Sequence, residues 1–345
     1  RSRGLGDVYK RQIVGDSSPE NNGPRVAVDP SPSLVVKPSR PAVLVVMVGE
    51  TTRSASWQLA GYSRETNPQL SELQIISIPR VEACGTSTDV SLPCMMSRIG
   101  RSDYNRDRIL SEEQLPSLLN HAGANVLWID NQSGCKGACT GVNTRATTPN
   151  PQDCPNGECG DRVFLSELKG ELGKLPADRP TVLFLHMMGS HGPAYSLRSD
   201  KERKLFEPEC TDADLKSCSR ESVMNAYDNS VRETDYVLAS LIRMLKDTSG
   251  SIDSALVYVS DHGESLGEGG LYLHGAPYWM APKEQTEVPM VLWMNSGFEK
   301  TFGINRSKLE KNAAGRVTHE NLYHTVLGLL NVKSTTYVPT YDLTH

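Results

Sequence analysis

The chain has 345 residues, 38% of them hydrophobic and 22% charged, and its formal net charge is −5 at pH 7. This length can bury the core of one large domain, and the mild negative charge excludes a sequence-wide basic field of the kind that attracts nucleic acid. No apolar run approaches the roughly 18 to 20 residues that span a bilayer. Because an initiating Met and a secretory signal pattern are both missing, we expect a fragment of a longer precursor.

The first 40 residues differ in composition from the rest. Residues 1–40 are rich in Pro, Ser, Gly and charged side chains and lack apolar periodicity, which predicts a linker. Residues 1–12 are interpreted as a non-native leader. Residues 41–345 are predicted to form one domain.

From residue 41 onward, strand-like apolar runs alternate with helix-like stretches. The strand candidates are Ala42–Val48, Asn125–Ile129, Thr181–His186, Ala255–Val259 and Val288–Trp293. The helix candidates include Glu112–Ala122, Asp161–Leu175, Glu221–Leu245 and Thr318–Leu330. This alternation predicts an α/β fold in which helices cover both faces of a mostly parallel central sheet, an α/β/α sandwich. Residues 131–156, rich in turn residues, are predicted to form a surface loop over the site.

Two predicted strands end at residues that can bind a metal. The first leads to Glu50, where ligand sites of open α/β sheets form; the alternative is an acid favoured by a helix macrodipole. The strand Ala255–Val259 leads to Asp261 and His262, whose carboxylate and imidazole are good zinc ligands. The alternative there is a helix-capping Asp beside a surface His.

Hydroxyl and histidine side chains add further candidates. Thr86, Ser87 and Thr88 lie in a turn before a predicted helix. They could be helix N-caps, or one could be a nucleophile whose pKa is lowered by the helix dipole and a metal. His191 and His274 lie in glycine-rich segments, where an isolated histidine is better interpreted as a loop residue.

The segment from Asn131 to Lys136 has the chemistry of a phosphate site. Gln132 offers an amide and Lys136 an ammonium, and both could bind phosphate oxygens. A solvated loop lysine is an equally weighted interpretation of Lys136.

The eight cysteines indicate an oxidising compartment. They fall in close pairs along the chain, an arrangement typical of short disulfide-closed loops, each contributing about 2–3 kcal/mol. The pairs are Cys84–Cys94, Cys135–Cys139, Cys154–Cys159 and Cys210–Cys218. The alternative is a zinc ribbon built from the four middle cysteines.

Seven segments, in this order, resemble the periplasmic catalytic domain of the lipid A phosphoethanolamine transferases, which include the mobile colistin-resistance enzymes. The resemblance runs from about Pro41 to beyond Glu320. The segments are Glu50-Thr51-Thr52-Arg53, Gly61-Tyr62, Cys84-Gly85-Thr86-Ser87-Thr88, His191-Gly192-Pro193-Ala194-Tyr195, Asn225-Ala226-Tyr227-Asp228-Asn229, Asp261-His262-Gly263-Glu264-Ser265-Leu266-Gly267-Glu268 and Pro282-Lys283-Glu284-Gln285.

The resemblance implies an alkaline phosphatase/sulfatase-like fold and assigns roles to the site. It implies one tight Zn²⁺ and selects Thr88 as the nucleophile. His191 and His274 match residues near a second, weaker zinc or the substrate phosphate, and could act in phosphate binding or as general acid. Lys136 matches a family lysine, whereas Gln132 stands where some relatives carry Asn. The implied ligands of the tight zinc are Glu50, Thr88, Asp261 and His262.

The resemblance also implies partners and a location. Phosphatidylethanolamine is the implied donor and lipid A the acceptor, and the modification implies resistance to polymyxins such as colistin. The implied location is the bacterial inner membrane with the catalytic domain in the periplasm, behind a missing N-terminal transmembrane region. Disulfides fit that compartment, the first of them holding the Thr88 loop. We expect a monomer that binds no nucleic acid.

Other interpretations stay open on the sequence alone. A sulfatase needs a modified Cys or Ser in a C/S-x-P-x-R pattern, and the segment from Ser91 to Met95 has the Pro but ends in Met. A phosphatase, a phosphoglycerol transferase, a transferase acting on lipopolysaccharide core or periplasmic glucan, and an inactive lipid-binding module are further alternatives. Trp57, Tyr62 and Tyr278 fit either a membrane surface or the core. His186 is interpreted as structural, and no motif surrounds His121, His319, His324 or His345.

Overall fold

The computed structural model describes residues 23–154 and 159–345, so the expected leader at residues 1–12 lies outside the described residues. At its centre is an eight-stranded sheet with the strand order β11-β3-β10-β7-β2-β6-β4-β5. β1 pairs with β12, and β8 with β9, outside this sheet. The strands are β1 Ser33–Leu34, β2 Ala42–Gly49, β3 Ile76–Glu82, β4 Asn125–Asp130, β5 Asn143–Ala146, β6 Thr181–His186, β7 Asp253–Ser260, β8 Ser265–Leu266, β9 Tyr272–Leu273, β10 Glu287–Met294, β11 Val317–Thr318 and β12 Val332–Lys333.

The central sheet is mostly parallel, as the alternation of elements predicts. Only β10 runs against its neighbours, β3 and β7; every other neighbouring pair is parallel. The five predicted strands all form, and each extends at most two residues beyond its predicted ends. They were recognisable because strands buried on both faces become continuous apolar runs.

Helices cover both faces of the sheet, which confirms the α/β/α sandwich. Along β2, Leu44 and Val46 face the core beneath α1, α3, α7, α8 and α9. The alternate residues Val45 and Met47 face the core beneath α4 and α5, as the two-residue period of a strand requires. The helices are α1 Thr88–Met95, α2 Arg106–Ser111, α3 Leu115–His121, α4 Val163–Leu172, α5 Arg220–Asp247, α6 Lys283–Thr286, α7 Ser296–Phe302, α8 Arg306–Ala313 and α9 Glu320–Leu329.

Three strands of the sheet are missing from the sequence-based expectation: β3, β5 and β11, which has only two residues. β3 contains Pro79, which lies where the register with β10 shifts between Val288 and Met290; an irregularity of this kind accommodates a residue without an N–H. β5 is polar and largely exposed, since it is the edge strand beside β4. It corrects the prediction that residues 131–156 form only a loop.

Part of the predicted linker packs along the domain. The Leu34 amide donates to the Ala122 carbonyl at 3.3 Å, and the buried Asp29 accepts from the Thr335 amide at 2.7 Å. The placement of a domain boundary at residue 41 stays a prediction.

All eight cysteines form disulfides, in the four sequence-adjacent pairs. A zinc ribbon is therefore wrong, because its four cysteines are used in two of these bridges. Trp57 is fully buried and stacks on Tyr258 with ring centroids 6.0 Å apart, so it belongs to the core. Within the two described ranges, no helix is both long and apolar enough to cross a membrane.

Candidate active site

The register of two central strands brings Glu50 and Asp261 together. β2 and β7 are parallel neighbours, and Gly49 is paired with Ser260 at their carboxyl ends. The next residue of each strand is the carboxylate, and the Asp261 amide donates to the Gly49 carbonyl at 3.1 Å. Both carboxylates are 0% exposed.

His262 completes a cluster of three ligand atoms that lie within 4.8 Å of one another. Its Nε2 is 3.3 Å from Glu50 Oε1 and 3.5 Å from Asp261 Oδ2. Its Nδ1 lies 2.8 Å from the Gly263 carbonyl. Donation to that carbonyl leaves the Nε2 lone pair directed at the carboxylates, as in histidine ligands of metals.

Asp261 presents one oxygen to the backbone and the other to the cluster. Oδ1 accepts from the amides of Thr51 at 3.2 Å and His262 at 2.7 Å. Oδ2 is buried and has no hydrogen-bond partner among the described residues. An orphaned buried carboxylate oxygen facing an imidazole and a second carboxylate fits a missing cation.

The pKa values of the three cluster side chains also favour a bound cation. Burial raises the pKa of Asp261, and the charge of Glu50 raises it further, to about 6. Burial alone lowers the pKa of His262, but the charges of Asp261 and Glu50 outweigh it and raise that pKa to about 10. Burial disfavours the charged form of Glu50 too, yet the hydrogen bond and charge of His262 hold its pKa well below its usual range. The site therefore attracts positive charge.

Thr88, the first residue of α1, places its hydroxyl against this cluster. Oγ1 lies 3.0 Å from Glu50 Oε2 and 3.3 Å from His262 Nε2. The rival hydroxyls are used elsewhere: Thr86 donates to the Ala276 carbonyl at 2.7 Å, and Ser87 to Asp89 at 2.7 Å. Only the Thr88 hydroxyl of the three therefore faces the candidate metal ligands.

The two candidates for phosphate binding, Gln132 and Lys136, make contacts in different places. The Gln132 amide donates to Glu50 Oε2 at 3.1 Å, so it lies at the cluster. The Lys136 ammonium donates to the Ser133 hydroxyl at 3.1 Å, within its own loop.

His191 and His274 lie beside the cluster on two different loops. The ring centroid of His274 is 4.3 Å from that of His262 and 6.2 Å from that of His191. Burial lowers the pKa of His191, which favours its neutral form. The loop of His191 passes close to Glu50, because the Ser190 amide donates to the Glu50 carbonyl at 3.0 Å.

Glu264 links the loops that carry these two histidines, a role that sequence reasoning missed. The Tyr195 hydroxyl donates to its Oε2 at 2.8 Å, and His274 Nδ1 lies 2.9 Å from its Oε1. Glu264 is fully buried. Its place in the Asp-His-Gly-Glu segment was visible in the sequence, but its partners there were not.

His319, for which no motif was found, holds the segment that leads to Thr88 against the end of β7. Its Nδ1 accepts from the Cys84 amide at 2.9 Å, and its Nε2 lies 2.9 Å from the Ser260 carbonyl. His186, interpreted as structural, is fully buried with Nδ1 2.9 Å from Asp130 Oδ2.

The described side chains thus fit a zinc ion. Two carboxylates, one imidazole and one hydroxyl form a four-donor set of oxygen and nitrogen, the chemistry that zinc accepts in hydrolytic sites. The orphaned Asp261 Oδ2 is the local observation that favours a bound cation.

Comparison with known proteins places this site in a family, since the sulfatase family profile matches residues 42–332. The chain belongs to the sulfatase family. The soluble domain of lipooligosaccharide phosphoethanolamine transferase A from Neisseria meningitidis superimposes with a TM-score of 0.88 at 39% identity, covering 94% of this chain and 98% of that one. Within the sulfatase family, this chain therefore groups with the phosphoethanolamine transferases.

Longer relatives agree with that grouping. The chain is 39% identical to the phosphoethanolamine transferase EptA of Escherichia coli (strain K12), over 90% of this chain and 57% of that protein. It is 36% identical to the phosphatidylethanolamine transferase Mcr-1 of Escherichia coli, over 85% of this chain and 54% of that one. The integral membrane form of the Neisseria meningitidis enzyme superimposes with a TM-score of 0.88 at 38% identity, over 98% of this chain and 63% of that one. This chain spans little more than half the length of the curated relatives.

Asp261→Asn tests the metal site of this sulfatase-family domain. We expect zinc binding to weaken by more than about 100-fold, because even outer partners of metal ligands contribute 10–100-fold. The metal-free variant should be at least as stable as the metal-free wild type, because the substitution removes a buried charge that faces Glu50. Calorimetric titration with zinc and thermal unfolding with and without chelator measure the two effects.

Asp253→Asn is the matched control, since Asp253 is a buried carboxylate at the opposite end of β7, paired with Arg40. It should lower stability with and without zinc and leave zinc affinity unchanged. Wild-type zinc affinity in Asp261→Asn would contradict the assigned ligand set.

His319 predicts a pH dependence of stability. Burial lowers its folded pKa from the ordinary value of about 6.5 to about 4. Between these values the unfolded state binds the proton more tightly, so the free energy of unfolding falls as pH falls from about 6.5 to about 4. At about 1.4 kcal/mol per pKa unit, this loss is about 3 kcal/mol.

Urea denaturation at several pH values compares the wild type with His319→Gln, which cannot titrate. We expect the variant to be less stable near neutral pH and to have a shallower slope between pH 6.5 and 4. An unchanged slope would show that His319 does not titrate in this window. His324→Gln is a parallel case: burial lowers the pKa of His324 to about 4 as well, so we expect this variant to make the slope shallower too.

Proposed function

We propose that this chain is the catalytic domain of a zinc-dependent enzyme that transfers phosphoethanolamine from phosphatidylethanolamine to a phosphate of lipid A. The observation that carries the proposal is the position of the Thr88 hydroxyl, 3.0 Å from Glu50 and 3.3 Å from His262. Grouping with the phosphoethanolamine transferases supports the identity of the transferred group.

The reaction proceeds through a phosphothreonine intermediate. The Thr88 hydroxyl gives up its proton as its oxygen attacks the phosphorus of the donor; a bond forms between them, and the bond from phosphorus to the glycerol oxygen breaks. The glycerol oxygen takes up a proton, and diacylglycerol leaves. A deprotonated acceptor phosphate oxygen then attacks the same phosphorus, the bond to Thr88 breaks, and the Thr88 oxygen takes up a proton, which restores the hydroxyl. Two displacements avoid bringing both lipids to the site at once.

Glu50, Thr88, Asp261 and His262 would hold the tight zinc. When bound there, zinc supplies Lewis acidity that lowers the pKa of a coordinated hydroxyl and neutralises developing charge on phosphoryl oxygens. The position of Thr88 at the start of α1 also favours it as the nucleophile, because the helix dipole stabilises an alkoxide there.

His191 and His274 serve the phosphoryl group and the leaving oxygen. Both rings lie within reach of the cluster, and the lowered pKa of His191 suits a neutral donor or ligand. Glu264 fixes the ring of His274 through Nδ1. The pair could also hold a second, weaker zinc when a substrate phosphate completes the coordination. Gln132 donates to Glu50 and so lies where it can contact the donor phosphate, and Lys136 is assigned to the same role.

Donor, acceptor and location are inferred from relatives. The name of Mcr-1 specifies phosphatidylethanolamine, and that of the Neisseria meningitidis enzyme specifies lipooligosaccharide. We extend these to a lipid A acceptor, a periplasmic site on an inner-membrane protein, and a monomer without nucleic-acid partners. Adding an amine to lipid A lowers the negative charge that attracts polymyxins, so colistin resistance follows. Lipopolysaccharide core and periplasmic glucan are the alternative acceptors.

Intact-protein mass spectrometry tests the nucleophile. After incubation with zinc and phosphatidylethanolamine in detergent, the wild type should gain the mass of one phosphoethanolamine, and Thr88→Ala should gain none. Ser87→Ala is the control, since the Ser87 hydroxyl is bonded to Asp89 and should leave the adduct intact. An adduct in Thr88→Ala would move the nucleophile to a neighbouring hydroxyl. The absence of both adduct and diacylglycerol from zinc-loaded wild type would reject the transferase.

The acceptor is tested in a polymyxin-susceptible Gram-negative strain. Expression of this domain within a membrane-anchored full-length protein should add phosphoethanolamine to lipid A and raise the inhibitory concentration of colistin. The Thr88→Ala protein, expressed at the same level, should do neither. Unmodified lipid A with modified core sugars would replace lipid A by the core as acceptor.

A further inference from the structure

Exposed apolar side chains are concentrated in one segment beside the site. The described part of the chain exposes eight large hydrophobic residues, and three of them lie within residues 271–280, on both sides of His274. They are Leu271, 48% exposed, Trp279, 85%, and Met280, 57%. Exposed apolar side chains concentrated in one segment indicate an interaction surface.

The turn that carries Trp279 is fixed to the segment that carries Thr88. In this turn, Tyr278–Met280, the Tyr278 hydroxyl donates to the Ala83 carbonyl at 2.8 Å. The Arg101 guanidinium lies 3.9 Å from the Tyr278 ring centroid. The Gly275 amide donates to the Thr86 carbonyl at 2.8 Å. Because Tyr278 anchors the turn, the exposed indole is held at the rim of the site.

We propose that Trp279, Met280 and Leu271 enter the interface of a phospholipid bilayer and set the mouth of the site against it. The inference rests on the proposed function, because a lipid donor makes the bilayer the surface that this rim must meet. An indole is favoured at the level of lipid headgroups. Arg101 and Lys283 are neighbouring cations. Lys283 is 84% exposed at its side chain and pairs with Glu287 at 3.5 Å; both cations can add attraction to an anionic surface.

The path of the described amino-terminal segment fits this orientation. The Arg25 guanidinium donates to the Gly137 carbonyl at 3.1 Å, in the loop that follows the carboxyl end of β4. Glu50 and Asp261 also follow carboxyl ends of strands. The first described residues therefore contact a loop that begins at the end of the sheet that carries the site.

The distribution of tryptophan makes the proposal directly measurable. The chain has four tryptophans. Trp57 and Trp128 are fully buried and Trp293 is 6% exposed, so Trp279 is the one that lipid can reach. Three apolar side chains bind a bilayer weakly, since even one myristoyl chain gives marginal binding. The domain should therefore be tethered, through a histidine tag before Arg1, to vesicles that contain a nickel-chelating lipid.

Fluorescence is compared on vesicles of phosphatidylethanolamine and phosphatidylglycerol, with and without bromine on the acyl chains near the headgroups. We expect the brominated lipid to quench the fluorescence of Trp279. The emission of Trp279 is obtained by subtracting the emission of the Trp279→Phe variant from that of the wild type. Val35→Ser is the matched control: Val35 is 67% exposed, on the strand segment that approaches Ala122, and its removal should leave quenching intact. Equal emission on both lipids overturns the proposal, as does quenching that persists in Trp279→Phe.

The test separates this proposal from the proposed function. Formation of the phosphoethanolamine adduct in detergent requires no bilayer. Adduct without quenching rejects the docking surface and leaves the transferase standing, whereas quenching without adduct rejects the transferase and supports the surface. A blue shift of Trp279 emission on unbrominated vesicles, lost in Met280→Ser with Leu271→Ser, further supports docking by the whole patch.

Discussion

The site depends on the enforced closeness of two buried carboxylates. Glu50 and Asp261 follow neighbouring parallel strands in register, so the backbone fixes their approach before any side chain is placed. Two like charges out of water cannot both persist without protons or a cation between them. A single imidazole, His262, neutralises only part of this negative charge. One oxygen of Asp261 still has no hydrogen-bond partner among the described residues. The sheet thus brings two buried negative charges together, and a divalent metal would neutralise them.

Around this pair, the hydrogen-bond partners of each imidazole ring determine which ring nitrogen is available to other groups. His262 is held through Nδ1 by a carbonyl, which directs Nε2 at the carboxylates. His274 is held through Nδ1 by the carboxylate of Glu264, which fixes the orientation of its ring. His319 lies between an amide and a carbonyl and uses both nitrogens, which leaves it no capacity for a metal. The hydrogen-bond partners of each ring therefore decide whether its second nitrogen is available for a metal or a proton, or whether both nitrogens are used in structural support.

These distinctions explain which features were predictable from sequence. β2 and β7 are apolar runs buried on both faces, so the carboxylates at their ends could be placed at one end of a sheet. β3 contains Pro79, and β5 is polar, and both are strands only because a neighbouring strand offers hydrogen bonds. Glu264 and His319 act through partners far away in sequence, for which periodicity gives no signal. The selection of Thr88 over its neighbouring hydroxyls came from the family resemblance; in the structure, the direction of each hydroxyl distinguishes the three.

Membership of the sulfatase family does not by itself decide the chemistry, and one turn of α1 illustrates why. Ser91 and Pro93 preserve part of the segment in which a sulfatase would carry its modified residue, but the Ser91 hydroxyl donates to the backbone carbonyl of Asp261 and is fully buried. It holds the metal-ligand segment in place and cannot face a substrate. Thr88, three residues earlier on the same helix, directs its hydroxyl at Glu50 and His262. Under the proposed reaction, a hydroxyl at that position would form and release a phosphoester without prior modification, unlike the modified residue of a sulfatase.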